Sequence, residues 1–273
     1  MPCGRAIPIW SDQLQMEKAE WPNRFSLVGK TALITGASKG IGAEIAHVFA
    51  DAGADIVAVA RDEDGLAATA DAVRNEGRDC LTIAADLSTR EGPAEAAHKA
   101  LEKAGTVDIL VNSAGIALVA PATELSVDDW DTSMAVNLRA PFILSQALAP
   151  AMIAQQSGKI INISSQTGIV AFDDHAAYAS SKGGLNALTK SLCAEWGRHN
   201  IQVNAICPTV VLTPMGKKVW SAPEKKDPLI AATPARRFAQ PREIADMALY
   251  LASPASAMVN GALMMIEGGY TSV

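Results

Sequence analysis

From residue 30 onward, apolar and polar positions switch between a strand-like and a helix-like period, which predicts alternating strands and helices nearly to the end. Lys30-Thr31-Ala32-Leu33-Ile34-Thr35 is a short apolar run that meets a glycine turn, and residues 43–52 carry apolar side chains at helical spacing. A β-rich run at 55–60, a helix at 62–76, a strand at 80–85 and a helix at 89–104 stopped by Gly105 follow. Residues 107–111 make a fourth strand. A long helical stretch at 126–156 has Asn137 in its middle, with Pro141 and Pro150 expected to bend or interrupt it. Beyond it the pattern gives a strand at 159–163, a helix at 175–199, a strand at 201–206, a variable flap at 213–233, a helix at 241–251 and a last strand at 262–266. Such alternation predicts an α/β fold, a single doubly wound parallel sheet with helices on both faces. Right-handed crossovers then place ligand sites at the carboxyl ends of the strands.

With 273 residues and 49% hydrophobic content, the chain can bury a large core, and no break in composition divides it. The expectation is one catalytic domain over 27–273 behind an N-terminal extension, 1–26. That extension holds Pro2, Pro8 and Pro22 and lacks the apolar stretch of a signal peptide. Its Trp10, Met16 and Trp21 belong either to an arm packed on the domain or a neighbouring subunit, or to a loose one. No run reaches the ~18 apolar residues of a membrane span, so the expected location is the cytoplasm. A net charge of -6 and a pI near 5.3 repel phosphate backbones, which argues against nucleic acid and acidic membranes as partners. Cys3, Cys80, Cys193 and Cys207 lack Cys-x-x-Cys spacing and read as apolar thiols rather than disulfides or metal ligands. Glu195 and His199 lie one helical turn apart, a spacing commoner in surface pairs, and no catalytic metal is expected.

The strand at 30–35 runs into Gly36-Ala37-Ser38-Lys39-Gly40-Ile41-Gly42 and then a helix, the setting of a dinucleotide-binding Rossmann fold. Gly36 permits the sharp turn, Gly40 lets backbone amides approach a pyrophosphate at a helix N-terminus, and Gly42 lets the helix pack on the strand. The Gly-Lys-Ser/Thr ending of a P-loop is missing, which disfavours a nucleoside triphosphatase. Further along, Tyr178 and Lys182 sit one turn apart on a predicted helix, so an ammonium can lie beside a phenol and lower its pKa from about 10 toward working pH. A phenol tuned in this way is a proton donor for a carbonyl. Alone, such a pair more often marks a solvated helix face; the glycine turn changes the weight. A Ser-His-Asp hydrolase finds no Gly-x-Ser-x-Gly elbow here.

Together with Asp86 after the third strand, Asn112-Ser113-Ala114-Gly115 at the end of the fourth, Asn137 and Ser165, these motifs resemble the short-chain dehydrogenase/reductase family over about residues 27–269. Pro208-Thr209-Val210-Val211-Leu212-Thr213-Pro214-Met215-Gly216, followed by Lys218-Val219-Trp220, is similar to its branch of L-xylulose reductase, dicarbonyl reductase and D-threitol dehydrogenase-like polyol dehydrogenases. Two positions depart from the family: Ser113 stands where a second Asn is usual, and Thr209 where Gly usually follows the Pro. The second departure favours that branch. The resemblance implies Tyr178 as acid/base, Lys182 to stabilise the phenolate and hold the nicotinamide ribose, and Ser165 to hydrogen-bond the substrate oxygen, with Ser164 facing away. It implies that Asn137 holds a water linked to Lys182, beside the plainer reading that it satisfies backbone at a helix bend. Cofactor contacts are implied for Gly36, Ser38, Lys39, Gly40, Ile41 and Gly42, for Asp86 and Leu87 at the adenine, for Asn112 and Ala114 along the channel, and for Pro208, Val211 and Thr213 near the carboxamide. Leu87 and Ala114 are equally readable as core. Gln166, His175, Met215 and Trp220 are expected around the substrate.

Cofactor choice turns on the end of the second strand. Arg61 suits the additional phosphate of NADP through charge-assisted bonds, with Lys39 nearby, so NADP(H) is favoured and NAD(H) stays open. Asp62 reads as the N-cap of the next helix, although a one-residue shift of the strand would bring it to a ribose. The expected function is NAD(P)(H)-dependent interconversion of a secondary alcohol of a polyol or small sugar with its ketone, on a small-molecule hydroxy or keto substrate. Reduction of a 3-oxoacyl-(acyl carrier protein) is the alternative enzyme, and a dinucleotide-binding scaffold or sensor the alternative of another class. The resemblance also implies a homo-oligomer, a tetramer, with Gly183 and Gly184 on a helix packed by a neighbouring subunit. The plainer account of those glycines is relief of crowding against the sheet.

Overall fold

The computed structural model describes residues 22–273, so Trp10, Met16 and Trp21 of the N-terminal extension lie outside the described residues. Its strands are β1 (Thr31–Thr35), β2 (Asp55–Ala60), β3 (Cys80–Ala84), β4 (Ile109–Asn112), β5 (Gly158–Ile163), β6 (Ile201–Pro208) and β7 (Leu263–Ile266). They form one seven-stranded sheet in the order β3-β2-β1-β4-β5-β6-β7, with every neighbouring pair parallel. The chain winds outward from β1 to β3, returns to the other side of β1, and winds outward again from β4 to β7. Its topological switch point, where a crevice opens, lies between β1 and β4.

The helices between the strands are α1 (Gly40–Asp51), α2 (Glu63–Asn75), α3 (Gly92–Ala104), α4 (Val127–Met134), α5 (Ala140–Gln155), α6 (Ala176–Trp196), α7 (Pro214–Trp220), α8 (Pro223–Ala232) and α9 (Pro241–Ala252). Strand side chains alternate between two cores. Ala32 and Ile34 pack with Ile45 and Phe49 of α1 and Ile244 and Ala248 of α9, whereas Leu33 joins Ala97 of α3, Leu144 and Leu148 of α5 and Leu192 of α6. Burial on both faces is why the strands read as nearly unbroken apolar runs.

The long helical stretch expected over 126–156 is interrupted: it consists of α4, a π-helical turn at Ala135–Arg139, and α5. Pro141 follows closely on the π-helical turn, where Arg139 and Ala140 keep right-handed helical backbone, and it can donate no N–H to that turn; α5 continues through Pro150 to Gln155. Asn137, inside the turn, bonds both backbone groups of Ile116 at 2.9 Å, as the plainer reading of a residue satisfying backbone at a helix bend has it. Similarly, α6 ends at Trp196 rather than 199, tightening into a 3-10 turn at Gly197–His199 before left-handed Asn200. At the start of α3, Thr89 donates to the Asp86 carbonyl and accepts from the Gly92 N–H, so residues 89–91 form a turn rather than helix.

A buried polar chain ties the middle strands to α6. The Asn112 Nδ2 donates to Asn162 Oδ1 at 2.8 Å, Asn162 Nδ2 donates to Thr189 Oγ1 at 2.9 Å, and Thr189 donates back to the Leu185 carbonyl at 2.8 Å. These bonds fix how α6 is rotated over the sheet. The segment between β6 and α9, expected as a flap, carries α7 and α8; it is anchored at both ends by a parallel bridge from Val211 to Ala239.

Candidate active site

A cavity of about 400 Å³ opens at the carboxyl ends of the strands. One end is the glycine turn after β1. Gly36 and Gly40 hold φ of 67° and 63°, which L side chains rarely adopt. A Cβ on Gly36 would lie 2.9 Å from Ala114 Cα, and one on Gly42 would lie 2.7 Å from the Gly36 carbonyl carbon. Thr35 joins the two strand ends across the switch point: its hydroxyl oxygen accepts from the N–H groups of Ser113 and Ala114, each at 3.0 Å. The N-terminus of α1 faces the cavity, and Lys39 provides it with no side-chain cap. Uncapped N–H groups at that point favour an anion.

Next along the rim come Arg61 and Asp62. The Asp62 side chain accepts from the Gly65 N–H at 3.1 Å as the N-cap of α2, and its other oxygen lies 3.8 Å from the Lys39 ammonium. Exposed Arg61 lines the cavity beside them. Asp86 accepts from the Ser88 N–H at 2.9 Å; that bond, with a smaller contribution from Arg61, holds its carboxyl below the usual carboxylate range. Leu87 is buried in the same wall.

At the far end, β5 delivers Ser165 and α6 delivers Tyr178 and Lys182. Ser165 caps a 3-10 turn, accepting from the Thr167 N–H at 3.2 Å, and its hydroxyl shares a 2.5 Å hydrogen bond with the Thr167 hydroxyl. The Lys182 ammonium donates to the Ile163 carbonyl at 2.8 Å and sits 5.7 Å from the Tyr178 ring centroid. Burial lowers its pKa to about 8. Burial also pushes the Tyr178 phenol upward, while the nearby Ser165 side chain pulls the other way. The direction differs from the expected lowering: desolvation of a phenolate outweighs the other contributions here. Ser164 is engaged elsewhere, its hydroxyl donating to the Lys182 carbonyl at 3.3 Å.

Asn137 does not line the cavity; it is buried behind it. Besides Ile116, it donates to Ser181 Oγ at 3.0 Å, and Ser181 donates to the Tyr178 carbonyl at 2.7 Å. A Cβ on Gly115 would lie 3.4 Å from Asn137 Oδ1 and 3.5 Å from Lys182 Nζ, so the two groups approach the same small gap. Asn112, expected on the cofactor channel, is a correction. Its carboxamide is 2% exposed, turned toward Asn162 and absent from the cavity wall. Its position inside a buried hydrogen-bond chain explains this. Pro208, Val211, Thr213, Met215 and Trp220 line the remaining wall with Gln166 and His175. Gln166 is 2% exposed, and neither its Nε2 nor its Oε1 has a hydrogen-bond partner.

Residues 36–271 match the protein family described as enoyl-(acyl carrier protein) reductase. A D-threitol dehydrogenase of Mycolicibacterium smegmatis is 45% identical over 247 residues, covering 90% of this chain and 95% of the relative. An NAD-dependent glycerol dehydrogenase of Listeria innocua is 38% identical over 249 residues, covering 90% and 96%. Among solved structures, a gluconate 5-dehydrogenase from Burkholderia cenocepacia J2315 in complex with NADP and tartrate is similar with a TM-score of 0.88 and 39% identity, over 92% of this chain and 99% of that one. The chain belongs to the short-chain dehydrogenase/reductase family.

As a short-chain dehydrogenase/reductase, it is an oxidoreductase acting on CH–OH donors. The residues fit a nicotinamide dinucleotide: side chains at Gly36 and Gly42 would fill the cradle, and the α1 N-terminus and Arg61 supply N–H groups and positive charge for phosphate. The motifs do not pick out every residue that shapes this dehydrogenase/reductase site. Thr35 sits in the Thr-Gly step that opens the glycine turn, a signal from which its role is recoverable. Thr209 stands out in sequence only as a departure from the family, whereas the structure shows its hydroxyl buried without a hydrogen-bond partner. Phe172 belongs to no motif, and only the fold brings it onto His175 and Trp220.

Proposed function

We propose that this chain interconverts a secondary alcohol of a polyol or small sugar with the corresponding ketone, using NADP(H) in preference to NAD(H). The observation that carries the reading is the continuous cavity joining the glycine turn to Ser165, Tyr178 and Lys182. Bound there, the nicotinamide supplies or accepts the hydride. The Tyr178 hydroxyl gives a proton to the substrate oxygen during reduction and takes one from the alcohol during oxidation. Ser165 donates a hydrogen bond to the same oxygen as charge develops on it. Lys182, buried one turn away, stabilises the phenolate and holds ribose hydroxyls, and Asn137 orders a proton path behind it. Ser38, Lys39, Gly40 and Ile41 line the pyrophosphate cradle, Asp86 and Leu87 meet the adenine, and Ala114, Pro208, Val211 and Thr213 flank the nicotinamide.

NADP(H) is favoured because one Asp62 oxygen caps α2 and the other faces Lys39, while exposed Arg61 lines the cavity and suits an additional phosphate. The gluconate 5-dehydrogenase structure contains NADP, while the glycerol dehydrogenase is named as NAD-dependent. The named substrates of the relatives are a tetritol, a triol and a sugar acid, which supports a small hydroxylated substrate. The family description makes an acyl carrier protein thioester the second reading. Flap residues Lys217, Lys218 and Lys225 offer such a carrier positive charge, and exposed Asp173, Asp174, Glu224 and Asp227 offset it. The protein is proposed to act as a cytoplasmic homotetramer.

A panel of polyols and ketoses assayed with both nicotinamides tests the reading. Turnover of a polyol/ketose pair is expected, with the higher kcat/KM for NADP(H). Tyr178→Phe is expected to lower kcat by about 10²- to 10⁴-fold with cofactor Kd nearly unchanged. Turnover surviving in that variant removes Tyr178 as the acid, and acetoacetyl thioester reduction without any polyol activity reverses the choice of substrate.

A further inference from the structure

The wall of the substrate end is a cluster of rings whose hub is Phe172. Its ring centroid lies 5.8 Å from that of His175, 6.1 Å from that of Trp220 and 5.6 Å from that of Tyr270, all at tilted or edge-on angles. His175 in turn stacks on Trp220 at 6.2 Å and meets the catalytic candidate Tyr178 edge-on at 6.2 Å. Phe172, His175, Tyr178 and Trp220 line the cavity; Tyr270 does not. It reaches the cluster from behind, out of the last turn of the chain.

That turn is held firmly. Gly268 and Gly269, with φ of 68° and 89°, reverse the chain after β7. The Glu267 carboxylate, 5% exposed, accepts from the N–H groups of Gly269 at 3.0 Å and Thr271 at 2.7 Å, one on each side of Tyr270. The same turn abuts the exit of the flap. The Ala235 N–H donates to the Gly268 carbonyl at 3.0 Å, and a Cβ on Gly268 would lie 2.8 Å from Thr233 Cγ2. One short C-terminal turn therefore touches both the end of α8 and, through Tyr270, the ring that supports Trp220 at the end of α7.

We infer that Tyr270 is a positioning residue for the substrate wall: its ring braces Phe172, and through Phe172 it sets how firmly Trp220 and the flap close over the substrate end. The inference rests on the proposed reading of the cavity as a site for a small hydroxylated substrate. Ring pairs of this kind contribute beyond the area they bury and depend on packing rather than on the hydroxyl. Removing the brace loosens substrate binding without altering the proton donor or the dinucleotide cradle.

The test compares Tyr270→Ala and Tyr270→Phe in the full-length protein by steady-state kinetics and by trypsin cleavage at Lys217 and Lys218, mapped by mass spectrometry. Tyr270→Ala is expected to raise KM for the substrate by about 3- to 10-fold, with kcat changed less than about 2-fold and cofactor Kd unchanged. Cleavage in α7 is expected to accelerate by a similar factor, and Tyr270→Phe is expected to restore both readouts. Tyr270→Leu, which keeps apolar bulk without a ring, serves if the alanine variant does not fold; an intermediate effect is expected. Wild-type KM and cleavage in the alanine or leucine variant overturn the inference, as does a phenylalanine variant no better than alanine, or cofactor binding lost in proportion to substrate binding. If the wild type turns over no polyol or ketose, the functional reading falls while the cleavage rates still judge the brace.

Discussion

A methyl group on Gly42 would come within 2.7 Å of the Gly36 carbonyl carbon and 3.1 Å of the Ala37 nitrogen, both backbone atoms of the glycine turn after β1. Backbone cannot swing aside as a side-chain tip can. Gly42→Ala is accordingly expected to cost about 1–3 kcal/mol of stability and to weaken dinucleotide binding, as read by thermal melting and fluorescence titration. Gly183→Ala is the contrast: its nearest neighbour would be the Gly168 carbonyl at 3.7 Å, so the melt of that variant should be unchanged or slightly higher. Gly184, by comparison, is small because of Leu138 in the π-helical turn, whose Cδ2 would lie 2.7 Å from an added methyl, rather than because of the sheet. Glycine spacing made the cradle legible in the sequence. The direction of the Tyr178 shift was not, because it depends on how far the folded chain desolvates the phenol.

Among the elements, α9 carries the clearest local device. Glu243 accepts from the Gln240 N–H at 2.8 Å and pairs with Arg237 at 2.6 Å, and these contacts, Arg237 first, lower its pKa to about 2. A depressed carboxyl contributes stability that is present above its unfolded value and lost as pH falls through the folded one. Glu243→Gln is therefore expected to lower Tm by about 1–3 °C at neutral pH, a small loss because the pair is solvent-screened. The difference from wild type should shrink as pH falls from 4.5 toward 2; a difference independent of pH would contradict the assignment. Strands and most helices were legible from periodicity because each is settled by its own residues. An interruption of 126–156 was legible at Asn137 and Pro141, but its π-helical form and the Ile116 partner, 21 residues away in sequence, were not.

For the whole molecule, exposed apolar side chains bear on the proposed assembly. Val127 and Trp130 on α4 and Phe142 on α5 stand 74%, 37% and 41% exposed, and Met258 is 97% exposed near the last strand. A stable interface buries about 1,600 Å² in total, with aromatic residues enriched. Sedimentation velocity is expected to find a tetramer, and Phe142→Lys to shift the distribution toward smaller species; a wild-type monomer would remove the proposal. The doubly wound parallel sheet and the placement of Tyr178, Ser165 and the glycine turn along one edge followed from alternation and from right-handed crossovers, whereas the strand order was not read from the sequence. Phe172 and Tyr270 did not follow, because they belong to no motif and only the fold brings their rings together beside Trp220.

The bridge between Val211 and Ala239 has an evolutionary corollary. Because the entry and exit of the intervening segment are stitched together beside β6, its interior behaves as an exchangeable cassette. Substitutions within its loops and helices can then reshape that wall of the cavity while both ends stay held beside β6.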